Sequence, residues 1–288
     1  MQTTFLHNPT VFSGEKELYR LATQNQLMRQ SEAPILRELF AGKRGLNILD
    51  IGSNNGEKTV RWFSDPAVAH VLGLEYNAAL AQQAQETYGG GRFRFCTCDV
   101  EGEEFLPLLT GWMAEEGIDG FDVVYLSFVL SHLKAPEALL KCLRPLLRPG
   151  GTLLAVETDD GKATLTPEDS RFREFLEILA QDPYAGDRSF GGRLQAVLTD
   201  CGFGRARLCC SAISAEPGEE EKKAMIFEMF FSYLPEDIAI LRAASPGDER
   251  LARWEHWMQA HYAALKQAIC APDSRISMGM AVVLAERM

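Results

Sequence analysis

The sequence has no run of about 18 apolar residues, the length that a membrane-spanning helix requires, so no membrane association is expected. It does not open on a basic segment followed by an apolar one: Met1-Gln2-Thr3-Thr4-Phe5 leads directly to polar residues, which argues against a secretory leader. Its seven cysteines (Cys96, Cys98, Cys142, Cys201, Cys209, Cys210 and Cys270) make no Cys-x-x-Cys pair. Zinc-site spacing is therefore missing, no metal is expected, and the thiols read as reduced residues of a cytoplasmic protein. Clustered basic residues are lacking too. With 29 Lys and Arg against 40 Asp and Glu, the formal charge of −11 repels a polyanion, so nucleic acid is not expected as a partner.

What is present is an ordinary globular composition, 46% hydrophobic and 24% charged. Its length suits one α/β domain with insertions, as a monomer or homodimer. Residues 15–40 carry apolar side chains at helical spacing, and Pro34 is expected to divide them into two helices. From Leu46 strands and helices alternate. Strands are expected at 46–51, 68–75, 93–98, 121–127 and 152–157, with helices at 58–63, 78–88, 106–116 and 135–147. Near-continuous apolar strands joined by helices predict a parallel sheet covered on both faces, doubly wound by right-handed crossovers. Beyond residue 157 the pattern loosens. Helices are expected at 170–180, 190–201, 222–233, 236–243 and 249–269, and strands at 206–213 and 276–285.

The chemistry-bearing segment is Ile48-Leu49-Asp50-Ile51-Gly52-Ser53-Asn54-Asn55-Gly56. An apolar strand ends in an acid and turns through glycines into a helix. Such a turn lets backbone approach a ligand at the carboxyl edge of the sheet. Glu75 ends the second strand about 20 residues on, where a carboxylate accepts from adjacent ribose hydroxyls. Either feature alone also describes a tight turn or a solvated acid.

Taken with these residues, the chain resembles the class I S-adenosylmethionine-dependent methyltransferases, and within them the small-molecule group typified by UbiE. Their first motif, Asp-x-Gly-x-Gly-x-Gly, stands here as Asp50-Ile51-Gly52-Ser53-Asn54-Asn55-Gly56, with Asn54 in place of the middle glycine. Cys98-Asp99-Val100 resembles the acidic position that meets the adenine amino group. The segment from Phe121 through Ser127 and Phe128 to His132 resembles the fourth-strand motif beside the reactive methyl, and Leu147-Arg148-Pro149-Gly150-Gly151 the turn into the fifth strand. The resemblance covers about residues 46–160. It implies a Rossmann-like, seven-stranded, mostly parallel sheet in the order 3-2-1-4-5-7-6, with S-adenosylmethionine as cofactor. It implies cofactor contacts from Gly52, Ser53, Asn54, Gly56, Glu75, Tyr76, Asp99, Val100, Ser127 and Phe128. Arg20, on an N-terminal helix, is expected to pair with the methionine carboxylate.

Residues 1–45 are expected to form a helical cap, residues 46–214 and 276–288 the core, and residues 158–189 and 216–275 helical lid insertions. A lid would serve a transfer that favours exclusion of water. His132 is the candidate general base, with packing as the competing role. Glu157, Asp159 and Asp160 lie at the C-terminal end of the fifth strand and are expected, with Tyr19 and Arg193, on the substrate side; clustered carboxylates there favour an amine-bearing small molecule with an N or O nucleophile. The alternative is a protein that binds the cofactor on this scaffold without turnover.

Overall fold

Each strand of the first half is an apolar run long enough to cross a sheet and is stopped by an acid, a serine or a glycine. In a computed structural model, which describes residues 14–288, these runs form β1 to β5. The initial Met1–Phe5 segment, read above as lacking a leader, lies outside the described residues. The order along the chain is α1 (Glu15–Phe40), β1 (Leu46–Ile51), α2 (Glu57–Phe63), β2 (Val68–Glu75), α3 (Ala78–Tyr88), β3 (Phe93–Thr97), α4 (Phe105–Glu116), β4 (Phe121–Ser127), α5 (Pro136–Leu143) and β5 (Leu147–Thr158). There follow β6 (Thr164–Thr166), α6 (Ser170–Leu179), α7 (Phe190–Asp200), β7 (Gly204–Ala215), α8 (Glu220–Phe231), α9 (Leu234–Ala244), α10 (Glu249–Ile269) and β8 (Arg275–Glu286).

The sheet has eight strands in the order β3-β2-β1-β4-β5-β8-β6, with β7 also paired to β8. β1 runs parallel to β2 and β4, β2 to β3, and β4 to β5. The expected order holds, since β8 is the strand predicted to lie between the fifth and sixth. The short β6 is an addition; it pairs antiparallel with β8 through Leu165 and Ile276.

Two expectations are corrected. Pro34 does not divide α1, which is one helix from Glu15 to Phe40. Pro34 is exposed, while Met28, Ile35, Leu36, Leu39 and Phe40 around it are buried. Their burial, about 1.5–3 kcal/mol for each large side chain, outweighs the roughly 3 kcal/mol a mid-helix proline costs. The helix predicted over 135–147 stops at Leu143, followed by one tight turn over Arg144–Leu146 that carries Pro145. Pro149, Gly150 and Gly151 lie within β5 as a bulge. From Phe121 to Val123 on β4 the paired residues on β5 run from Leu147 to Thr152, and Gly150 takes a φ of 77°.

The described chain divides into two compact units. One, residues 30–157, 190–210 and 281–288, has a core of Leu49, Leu72, Val124, Leu126, Leu153 and Val283 on the strands and Leu109, Leu140 and Leu194 on the helices. The other, residues 14–29, 158–189 and 211–280, is held by an aromatic cluster. Phe175 lies 5.1 Å from Phe231 and 6.1 Å from Tyr262, and Phe227 stacks on Phe231 at 5.4 Å.

Candidate active site

A parallel sheet delivers all its strand ends to one edge, so the four adjacent exits of β3, β2, β1 and β4 lie side by side. After Ile51 the backbone turns back on β2: Gly52 and Ser53 donate their N–H groups to the Leu74 carbonyl at 2.8 and 3.0 Å. Gly52 and Gly56 both take a φ of 78°. A Cβ on Gly52 would stand 2.5 Å from Cγ2 of Val129, so the turn needs glycine both for its conformation and for the approach of the segment after β4. Asn54 takes a φ of 49°, the left-handed conformation that the motif's missing glycine would have supplied.

Glu75 ties this turn to β2. Its Oε2 accepts from the Asn54 backbone N–H at 2.9 Å, and its Oε1 from that of Asn77 at 2.8 Å. Burial raises its pKa against those hydrogen bonds. Each carboxylate oxygen has a second lone pair, so Glu75 retains acceptor capacity toward ribose hydroxyls. Asp50 behaves differently. Buried behind the turn, its Oδ2 accepts from Thr59 Oγ at 2.5 Å, and burial pushes its pKa up to about 7 despite the Thr59 bond and nearby Lys58. Ser53 Oγ is buried with no hydrogen-bond partner among the described residues.

Asp99 is exposed after β3, its Oδ1 accepting from the Glu101 N–H at 3.0 Å, and Val100 packs on the core. Glu101 in turn accepts from the Ala135 N–H at 2.7 Å and links the β3 and β4 exits. Tyr76 is 48% exposed beside them. At the end of β4, Phe128 takes a φ of 57°, a conformation that bulky side chains avoid. Its N–H donates to the Val156 carbonyl at 2.8 Å. His132 is half-buried and closes the single turn Leu130–His132, its N–H on the Val129 carbonyl.

The acids at the end of β5 diverge instead of forming one amine site. Glu157 is fully buried, and its Oε1 accepts from the Val129 and Leu130 N–H groups at 3.0 and 2.7 Å. Burial pushes its pKa up to about 7. Its role is to fix the segment after β4, which corrects the substrate-side expectation. Asp159 pairs with Lys162 at 2.7 Å, and Asp160 takes the Arg188 guanidinium in a two-point contact, each bond 2.9 Å. Their charges are thus answered within the chain.

The N-terminal cation is likewise committed. Arg20 donates Nε and Nη2 to the two oxygens of Glu17 at 2.6 and 2.5 Å, and lies over the Tyr233 ring. A guanidinium so held is not placed for the cofactor carboxylate expected above. Tyr19 is 65% exposed, and Arg193, also exposed, stacks on Phe190 at 4.6 Å.

Two clusters went unread in the sequence. The first joins Glu32, Lys58, Trp62, Tyr125 and Ser127. Glu32, wholly buried, accepts from Trp62 Nε1 at 2.6 Å, Tyr125 OH at 2.5 Å and Lys58 Nζ at 3.2 Å, while Lys58 also donates to Ser127 Oγ at 2.8 Å. Its signal was an acid inside the apolar stripe Met28, Ile35, Leu36, Leu39. The second is a pair of interacting carboxyls, Asp182 and Asp237, both nearly fully buried. Burial and the neighbouring Asp182 charge push Asp237 up to about 9, and burial alone raises Asp182. A cavity of about 230 Å³ lies elsewhere, lined by His70, Arg92, Phe93, Trp112 and Glu116, where β2 and β3 begin. That is the sheet edge away from the glycine turn.

Known proteins are similar to this chain in part of its sequence or in fold. A tRNA U34 carboxymethyltransferase of Desulfotalea psychrophila is 34% identical over 38% of this chain and 32% of its own. A ubiquinone biosynthesis O-methyltransferase of Pasteurella multocida is 28% identical over 39% of this chain and 46% of its own. The chain thus matches less than half of the length of either. The YcgJ protein of Bacillus subtilis shares the fold at a TM-score of 0.53 and 13% identity, covering 90% of this chain and 98% of that one. A family model described as the methyltransferase domain matches residues 23–189, more than half of the sequence, and the protein belongs to that family.

Proposed function

We propose that the protein transfers a methyl group from S-adenosylmethionine, the methyl donor of its fold family, to a small-molecule N or O nucleophile. The observation that carries this reading is the joint built by Asn54 and Glu75. It sets a glycine turn and a half-buried acid on adjacent strand exits, where a nucleoside's hydroxyls and an amino-acid tail would both find partners. Gly52, Ser53, Asn54 and Gly56 would hold the donor's amino-acid portion and Glu75 the ribose. Asp99 with Val100 and Tyr76 would flank the base. The unpartnered Ser53 hydroxyl and the exposed backbone of Gly52 fit such a ligand.

Bound there, the sulfonium supplies an electrophilic methyl for direct displacement. The chain's part is then to orient and to exclude water. Ser127 and Phe128 would border the transferring carbon, and His132 would accept a proton from a nucleophile that loses one.

Another reading gives the acceptor as RNA, and the 34% identical tRNA-modifying relative favours it. The charge of −11 weighs against it, since phosphate neutralisation supplies most non-specific nucleic-acid affinity. Calorimetry with S-adenosylhomocysteine, followed by donor turnover with amines, phenols and unmodified tRNA in separate reactions, tests all of this. Binding without turnover on any acceptor would leave a cofactor-binding protein, and absence of binding would refute the proposal.

A further inference from the structure

Resting on that reading of the site, we propose that Lys58 holds the carboxylate of the cofactor's amino-acid end, the task the sequence had suggested for Arg20. Lys58 sits in the first turn of α2, immediately after the glycine turn, and its ammonium lies over two aromatic rings: Nζ is 5.6 Å from the Trp62 ring centre and 5.2 Å from that of Tyr125. This packing fixes the ammonium at the exit of β4, 2.8 Å from Ser127 Oγ. Ser127 follows Leu126, which pairs with Ile51, the residue before the turn, so Lys58 and Gly52 serve the same two strand exits.

The charge balance favours an anionic ligand group. An ammonium has three N–H donors, and the described residues take two of them, through Glu32 Oε1 and Ser127 Oγ. Glu32 divides its charge among three donors, two of them the neutral groups of Trp62 and Tyr125. The Lys58 side chain keeps 14% of its surface exposed, whereas Glu32 has none. The cation is therefore the member of the pair that a ligand reaches. A sulfonium nearby would repel it, and a carboxylate on the same molecule would be attracted to it. That assigns Lys58 to the donor's zwitterionic tail and leaves the nucleoside to Glu75.

The test compares two ligands on the purified protein by calorimetry: S-adenosylhomocysteine, which has the carboxylate, and 5′-methylthioadenosine, which has the same nucleoside thioether without the amino-acid end. Lys58→Met is expected to weaken the first by about ten- to a hundredfold and the second by less than about threefold, while Lys58→Arg keeps most of the preference. Because Lys58→Met strands the buried Glu32 charge, the double variant Lys58→Met with Glu32→Gln is measured alongside it, and the same selective loss is expected. Equal weakening of both ligands, or no weakening of either, would overturn the assignment. Failure of the unaltered protein to bind S-adenosylhomocysteine would instead strike the cofactor reading on which the assignment depends.

Discussion

The Asn54 backbone N–H and Glu75 Oε2 stand 2.9 Å apart, and this one bond joins the loop after β1 to the end of β2. The acid that would read the ribose is thus also a structural part of the glycine turn. Replacing it alters binding and shape together. Glu75→Gln puts an amide nitrogen where one of two backbone donors now finds an oxygen. It should cost about 1–3 kcal/mol of stability and at least about tenfold in S-adenosylhomocysteine affinity. Thermal melts with and without ligand measure both. Unchanged melting together with unchanged affinity would remove Glu75 from the site.

Gly52 allows a second prediction. Gly52→Ala meets Val129 Cγ2 and a left-handed φ at once. The variant should lose about 1–3 kcal/mol and bind ligand more weakly, because relief of the clash displaces the segment after β4. Urea unfolding with calorimetry checks this. A fully stable variant with ordinary ligand affinity would contradict the close approach.

Glu157 is expected to act through the turn it holds. Glu157→Leu leaves the half-buried Val129 and buried Leu130 N–H groups without an acceptor, at about 1–3 kcal/mol for the buried one, whereas Glu157→Gln keeps a carbonyl oxygen for them. Hydrogen exchange of those two amides should rise sharply in the leucine variant and little in the glutamine one. Equal protection in both would show that the carboxylate does not order the segment.

The Asp182–Asp237 pair predicts a pH dependence. Glu17 and Arg20 of α1, Arg188, Tyr233 and Asp182 act on Asp237 or its partner, and the carboxyl is held protonated up to about 9. The folded protein retains a proton that the unfolded chain releases near pH 4. The pair's contribution is therefore complete below about pH 4 and is lost as pH rises through about 9. Asp237→Asn should flatten the decline between about pH 6 and pH 9, by up to about 1.4 kcal/mol per pH unit per proton. Denaturant midpoints across that range read it directly. A slope identical to that of the unaltered protein would mean that no proton is shared.

How much of this was legible follows from what each residue signals locally. β1, β2 and β4 were read with their observed ends, because an unbroken apolar run halted by an acid or a serine is a local pattern. β6 was not: three residues with only Leu165 buried carry no period. Pro34 misled because a proline's cost is local, whereas the burial that offsets it comes from other parts of the fold. The glycine turn was visible as a motif, and so was Glu75 by its distance along the chain. Lys58 was not, since only folding sets its ammonium against Ser127, 69 residues on. Arg20 looked available for the opposite reason: the sequence shows a cation but not that Glu17 occupies it. Charge pairing is decided in three dimensions, so the ligand-facing role of an ionic residue is the part of a site that sequence conveys least.

β8 has a consequence for how the chain is made. It pairs with β5, β6 and β7, yet it is translated after all three. Until residues 275–286 leave the ribosome, β5 and β7 each present a row of unsatisfied backbone groups to their surroundings. For the whole synthesis of α8, α9 and α10 the growing protein has an open seam beside its most apolar strands. This nascent state, more than the finished fold, is where overexpression should meet aggregation and where a chaperone would engage the chain.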